Sequence, residues 1–203
     1  MSDSLDSLAE AGGPGDRFLY HRIALIEERG WGRVSRLPYS LRVLIESLMR
    51  HQGRPGFAPE QVERLARWTP DDPGSGEIPF LPSRVLLQDF TGVPCVVDLA
   101  ALRGALARAG GDPRRVEPRI PVDLVIDHSV QLDEAGHEGA YEANLRREFE
   151  RNAERYAFLR WGRNAFARLR VLPPGLGICH QVNMEYLAEC VHIETDAAGR
   201  RMA

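Results

Sequence analysis

Three polar groups in this chain stand where layered α/β proteins do their chemistry, directly after strand-like apolar runs. In "PVDLVIDHSVQLD", residues 121–133, the run from Val122 to Ile126 ends in Asp127, His128 and Ser129. Gln88 and Asp89 close "RVLLQD", and His180 with Gln181 follows the turn "PPGLGIC". An acid beside an imidazole can hold and tune a group that gives or takes a proton near neutrality. Ligands of α/β sheets gather beyond the carboxyl ends of the strands, so three such ends brought together would make one site. Each piece has a plainer alternative. Asp127 and His128 can be an Asp turn beside a surface histidine, since neighbours on a strand point to opposite faces and meet only once the strand has ended. Gln88 can simply satisfy backbone groups at a strand end, and the turn before His180 can simply need its glycines.

The elements that must position these groups read as strands alternating with helices, an α/β layer. "SRVLLQDFTGVPCVVDLAALRGALARAGGDP" predicts a strand, a Gly/Pro turn and an amphipathic helix from about Asp98, closed by Gly110 and Gly111. "IPVDLVIDHSVQLD" predicts a second, buried strand. "EANLRREFERNAERYAFLRWGRNAF" predicts the longest helix, with Leu145, Phe149, Tyr156, Leu159 and Phe166 along its apolar side. "LRVLPPGLGICHQVNMEYLAEC" predicts a strand, a turn and a short helix. Upstream, Leu41, Leu44, Ile45 and Leu48 recur at helical spacing after a candidate N-cap, Ser40, and Gly53 ends that helix. "APEQVERLARW" predicts a shorter one. The organisation expected is a flexible tail over residues 1–16, an α/β domain over 17–191 with a helical N-terminal portion, and a tail over 192–203.

The bulk composition narrows the function. With 203 residues, 43% of them hydrophobic, the chain can bury a proper core. A net charge of −3 supplies no basic field for nucleic acid or an anionic membrane. All 26 basic residues are arginine, a global bias that points to no site. No apolar run long enough to cross a bilayer is expected, and the acidic, Gly/Ser-rich N-terminus lacks the pattern of a signal peptide; a cytoplasmic setting follows. Cys95, Cys179 and Cys190 are widely spaced, so neither a disulfide framework nor a zinc ladder is predicted. Cys95 and Cys179 are expected in the core and Cys190 partly exposed on the last helix. Neither GxGxxG nor GxxxxGK[ST] occurs.

Five blocks, "SRLPYSLRVLIESLMR", "RVLLQDFTGVPCVVDLAALR", "PVDLVIDHSVQLD", "FERNAERYAFLRWG" and "PPGLGICHQVNMEYLA", together resemble the N-terminal part of the aconitase family, of the long bacterial and iron-regulatory-protein type. The likeness runs over about residues 18–191, in order. It implies a layered α/β/α fold and a hydro-lyase that interconverts citrate and isocitrate through cis-aconitate. It also implies a [4Fe-4S] cluster on three cysteines, acting as Lewis acid on the tricarboxylate. Matched motif by motif, Asp127, His128 and His180 fall on catalytic positions, the first two on the pair that protonates the departing hydroxyl. Gln88 and Ser129 fall on substrate-binding ones.

The departures set the remaining expectations. After "NMEYLA" the family leads soon to a "GTDSH" segment, whereas this chain reads "ECVHIETDAAGRRMA". None of its three cysteines matches a cluster ligand, so no cluster is expected on this chain alone. The expectation is an incomplete domain, inactive unless a complementing C-terminal polypeptide supplies the rest, with an exposed apolar patch that promotes self-association. The alternatives are a non-catalytic remnant or binding module, or a segment of a relative acting on 2-methylcitrate or 2-methylisocitrate. No membrane partner is expected, and RNA binding is disfavoured by the missing basic surface.

Overall fold

A computed structural model describes residues 5–74, 76–126, 130–174 and 176–203. In chain order the elements are β1 (Leu8–Ala11), β2 (Phe18–His21), α1 (Leu25–Glu28), α2 (Tyr39–Arg50), α3 (Pro59–Ala66), β3 (Val85–Gln88), α4 (Asp89–Arg108), β4 (Val122–Val125), α5 (Ala140–Arg151), α6 (Ala153–Ala165), β5 (Leu169–Leu172), α7 (Cys179–Val182), a π-helical turn (Asn183–Leu187), β6 (Glu194–Thr195) and β7 (Arg201–Met202). They form two compact units, Met1–Leu81 with Glu189–Ala203, and Pro82–Ala188.

The first unit joins the two ends of the chain. Its sheet has the order β1-β2-β7-β6, with β2 and β7 parallel and the outer pairs antiparallel. Residues 8–11, inside the stretch expected as a tail, thus form a strand, and Leu5 before it is buried in the core with Ile26, Ile45, Leu48 and Val62. The stretch expected as a C-terminal tail supplies β6 and β7, and the amide of Ala203 donates to the Leu19 carbonyl at 2.8 Å. Helix α2 starts one residue ahead of Ser40, with Pro38 at the N-cap and no side-chain cap, because Pro38 already fixes the backbone there.

The second unit holds Gln88 and the helix carrying His180. Its sheet, β3-β4-β5, is parallel throughout, with β4 in the middle. Alternation along β4 sends Leu124 to one face and Val125 to the other, so this strand is buried on both sides. On the first face α4 and α6 bury Val96, Leu159 and Phe166 against Leu124, Ile126 and Leu169. On the second, Val182 of α7 meets Val125 and Leu172, with Leu86, Cys179 and Leu187 around them. The layering is α/β/α, as expected.

Two helices differ from the sequence expectation. Helix α4 begins at Asp89 rather than near Asp98, and at 20 residues it is the longest. The "TGVP" segment read as a turn lies within its first two turns: Pro94 is the sixth helical residue and has no amide to donate to the Phe90 carbonyl, yet the helix runs on through it. Gly92 is required there, since a Cβ would come within 2.4 Å of Leu124 Cδ1. Among the described residues α4 is also the one helix long and apolar enough to cross a membrane, by length and composition, contrary to the expectation that no such run exists. The reading missed it by splitting the helix at Pro94. One side packs on the sheet through Gly92, Val93, Val96 and Leu99, while Phe90, Val97 and Leu102 stay exposed.

The expected long helix is two, α5 and α6, divided at Asn152. The Asn152 amide donates to the Glu148 carbonyl and carboxylate, a side-chain competitor for helical bonding that favours a break. Phe149 is accordingly exposed, and the buried residue of α5 is Asn144.

Candidate functional site

The parallel order of β3, β4 and β5 places three carboxyl ends along one edge. In register, Gln88, Val125 and Leu172 lie level with one another. Each strand leads directly into one of the groups singled out by sequence: Gln88 itself, Asp127 to Ser129 two residues past Val125, and the turn leading to His180. Asp127, His128 and Ser129 lie outside the described residues. His180 is the second residue of α7.

Gln88 ends β3 and occupies the N-cap of α4, with an exposed side chain that makes no cap hydrogen bond. The Thr91 hydroxyl donates to its carbonyl at 3.1 Å. The amide is therefore presented at the edge rather than spent on the helix end. Beside it Asp89 is buried, 1% exposed, and forms an ion pair with Arg155 of α6. A buried carboxylate needs such a partner, and this one ties the start of α4, with Gln88, to α6. The first turn of a long helix also brings partial positive charge to this edge, which favours carboxylate ligands.

The chain returning from residues 127–129 is anchored soon afterwards. Asn144 Oδ1 accepts the backbone amides of Asp133 and Glu134 at 2.8 and 2.9 Å, and its Nδ2 donates to the Glu134 carbonyl at 2.8 Å. Arg151 Nη2 donates to Asp133 Oδ1 at 2.6 Å and, with Arg147 nearby, holds the Asp133 carboxyl below its ordinary pKa.

On the second sheet face Asp123 of β4 is 4% exposed. Arg170 donates to it through Nε at 2.6 Å and Nη2 at 2.9 Å, and Arg84 through Nη1 at 2.9 Å. Burial pushes its pKa up, and the hydrogen bonds from Arg170 and Arg84 outweigh that, leaving the carboxyl below its ordinary value. The other arm of Arg84 donates to Asn183 Oδ1, at the start of the π-helical turn.

Sequence reading singled out none of Asp123, Asn144 or the Asp89–Arg155 pair. An acid inside the apolar run "VDLV" was a visible signal of a buried charge needing partners. Nothing local marked Arg155 as the partner of a residue 66 positions earlier.

The cysteines do not fit the cluster that the resemblance implies. Such a cluster needs three thiolates on one side of it. Here Cys95 is exposed on α4, not in the core as expected, because that side of α4 faces away from the sheet; Cys179 is half-buried on α7, and Cys190 is exposed after the π turn, in the other unit. Among the described residues no three His, Cys, Asp or Glu side chains are grouped to hold a metal.

The Aconitase family model, described as aconitate hydratase, matches residues 61–197. Aconitate hydratase A of Bacillus subtilis (strain 168) is 54% identical over 183 residues, 90% of this chain and 20% of that relative. The Thermus thermophilus protein of the same name is 49% identical over 191 residues, 94% of this chain and 21% of the relative. That of Pseudomonas aeruginosa is 51% identical over 185 residues, 91% and 20% respectively. The chain thus spans about a fifth of the length of the curated relatives it matches. A family match over most of its residues and an identity near one half, laid on the α/β layers that carry the motif-bearing strand ends, establish that this chain belongs to the aconitase family.

Proposed function

We propose that this chain supplies the N-terminal part of an aconitate hydratase active site, contributing proton-handling and substrate-holding groups to the isomerisation of citrate and isocitrate. The observation that carries this is Gln88, exposed at the carboxyl end of β3 and level with Val125, two residues before Asp127. In this reading the Gln88 amide and the Ser129 hydroxyl hold carboxylate oxygens of the tricarboxylate. The Asp127 carboxylate orients and tunes the His128 imidazole, which donates its proton to the departing hydroxyl so that it leaves as water. The double bond of cis-aconitate forms as a base supplied by the complementing part takes a proton from the neighbouring carbon, and rehydration runs the same transfers in reverse. In the same reading His180 serves as a further proton-handling group. A complementing polypeptide provides whatever lies outside this fifth of the relatives' length, the cysteines for the cluster included.

The test is complementation. The chain is co-expressed with the portion of the Bacillus subtilis relative that follows the matched region, treated with iron and sulfide, and assayed for citrate conversion to isocitrate. The matched N-terminal portion of that relative serves as positive control. Activity is expected with the native chain and a loss of at least about a hundredfold with His128→Gln, in the range for a removed general acid. A working control beside an inactive native chain would overturn the proposal, and the assay repeated with 2-methylcitrate decides the substrate.

A further inference from the structure

We propose that Arg84, anchored on Asp123, is a positioning residue that fixes the segment carrying His180, Cys179–Leu187, to the sheet through Asn183. This rests on the reading of His180 as an active-site residue. Asp123 sits on the central strand, and Arg170 alone gives each of its carboxylate oxygens a hydrogen bond and its charge a counter-ion. Charge satisfaction therefore does not require Arg84. What Arg84 adds is a second arm: Nη1 donates to Asp123 Oδ2 and Nη2 to Asn183 Oδ1. A guanidinium is a flat, rigid fork, so it sets Asn183 at a fixed place relative to β4 in a way a flexible ammonium does not.

Asn183 is a sensitive point to hold. Helix α7 gives way there to the π turn, with the Ala188 amide donating to the Asn183 carbonyl five residues back, at 2.6 Å. Such turns recur at functional sites. His180 lies three residues upstream, under one helical turn away. Among the described residues, the further hold of this segment on the sheet is a small apolar contact in which Val182 is fully buried, while Met184 and Tyr186 are exposed. A segment with so little burial opens locally at low cost unless something else fixes it.

The test follows backbone hydrogen exchange by mass spectrometry, together with the His180 ring resonance, assigned by its disappearance in His180→Gln. Arg84→Met and Asn183→Ala should each speed exchange over residues 179–187 by about tenfold while leaving β4 and α6 as in the parent chain. Asn183→Ala keeps Asp123 paired with both arginines, so it reports even if Arg84→Met folds poorly. Arg84→Lys, which keeps a positive charge but not the fork, should behave as Arg84→Met does. Arg170→Met should leave 179–187 unchanged. The His180 resonance should shift in Arg84→Met and Asn183→Ala. Parent-like exchange and an unmoved resonance in both variants would overturn the proposal; so would acceleration spread evenly over β4 and α6, or rescue by Arg84→Lys. None of these readouts needs turnover. Failed complementation beside the expected exchange changes would therefore count against the active-site reading, and not against the tether.

Discussion

The two faces of the β3-β4-β5 sheet are held by different physics. Toward α4 and α6 the sheet buries Leu124, Ile126 and Leu169 under Val96, Leu159 and Phe166, a mainly apolar joint, with the buried Asp89–Arg155 pair linking the two helices. Toward α7 the apolar contact shrinks to Val125, Leu172 and Val182, and a buried carboxylate with two arginines and an asparagine does much of the holding. Apolar burial is strong and non-directional, whereas charge-assisted hydrogen bonds fix geometry at a modest net gain. The element leading to His180 lies on the directional face, and the elements that carry the stability of this unit lie on the other.

That contrast is most directly broken from the apolar side. Leu124 is fully buried at the centre of the larger cluster, and a Cβ on Gly92 would already crowd it. Leu124→Ala should cost about 2–5 kcal/mol, the range for a truncated buried leucine that leaves a cavity. Urea unfolding followed by far-UV circular dichroism checks it. A loss below about 1 kcal/mol would mean that this face carries less than its burial implies.

The directional face should respond less, and with a dependence on pH. Asp123→Asn leaves two arginines facing a neutral amide, with an expected loss of about 1–3 kcal/mol at neutral pH. The folded-state pKa of Asp123 is depressed below that of the unfolded chain. Its stabilisation is therefore present above the unfolded value, about 3.9, and is lost as pH falls through the folded value. The gap between native chain and Asp123→Asn should thus be largest at neutral pH and close in acid. A gap that stays constant into acid would show that the carboxylate charge is not what Arg84 and Arg170 recognise.

How much of this was legible in sequence follows the same division. Strands β3, β4 and β5 read correctly because β-branched and leucine runs bounded by turn residues are local signals. The ends of those strands came with them, Gln88 at the end of β3 included. Helix α4 was read nine residues short because Pro94 and Gly92 resemble a turn when the reader does not know that Leu124 sits against Gly92. β1 was missed because "LAEA" has little strand propensity of its own and is a strand only by pairing with "FLYH". The Asp123 cluster joins residues 39, 47 and 99 positions apart, and no local pattern encodes such partners.

Gln88 belongs to neither face and gives the smallest expected effect on stability. Its side chain is exposed and makes no cap hydrogen bond, so truncation removes no buried contact. Gln88→Ala should shift unfolding by less than about 0.5 kcal/mol, as surface substitutions away from caps and networks do. In the complemented enzyme the same change should raise KM for citrate, because an amide that holds a substrate carboxylate is lost, with kcat less affected. An amide that only finished the strand would give the opposite pattern, measurable destabilisation with KM untouched. The site reading therefore predicts that the residue least important to the fold of this unit is among the more important to its ligand. Asp89, one residue on, should show the reverse: its buried pairing with Arg155 holds the start of α4, so Asp89→Ala should destabilise the unit before it changes any binding.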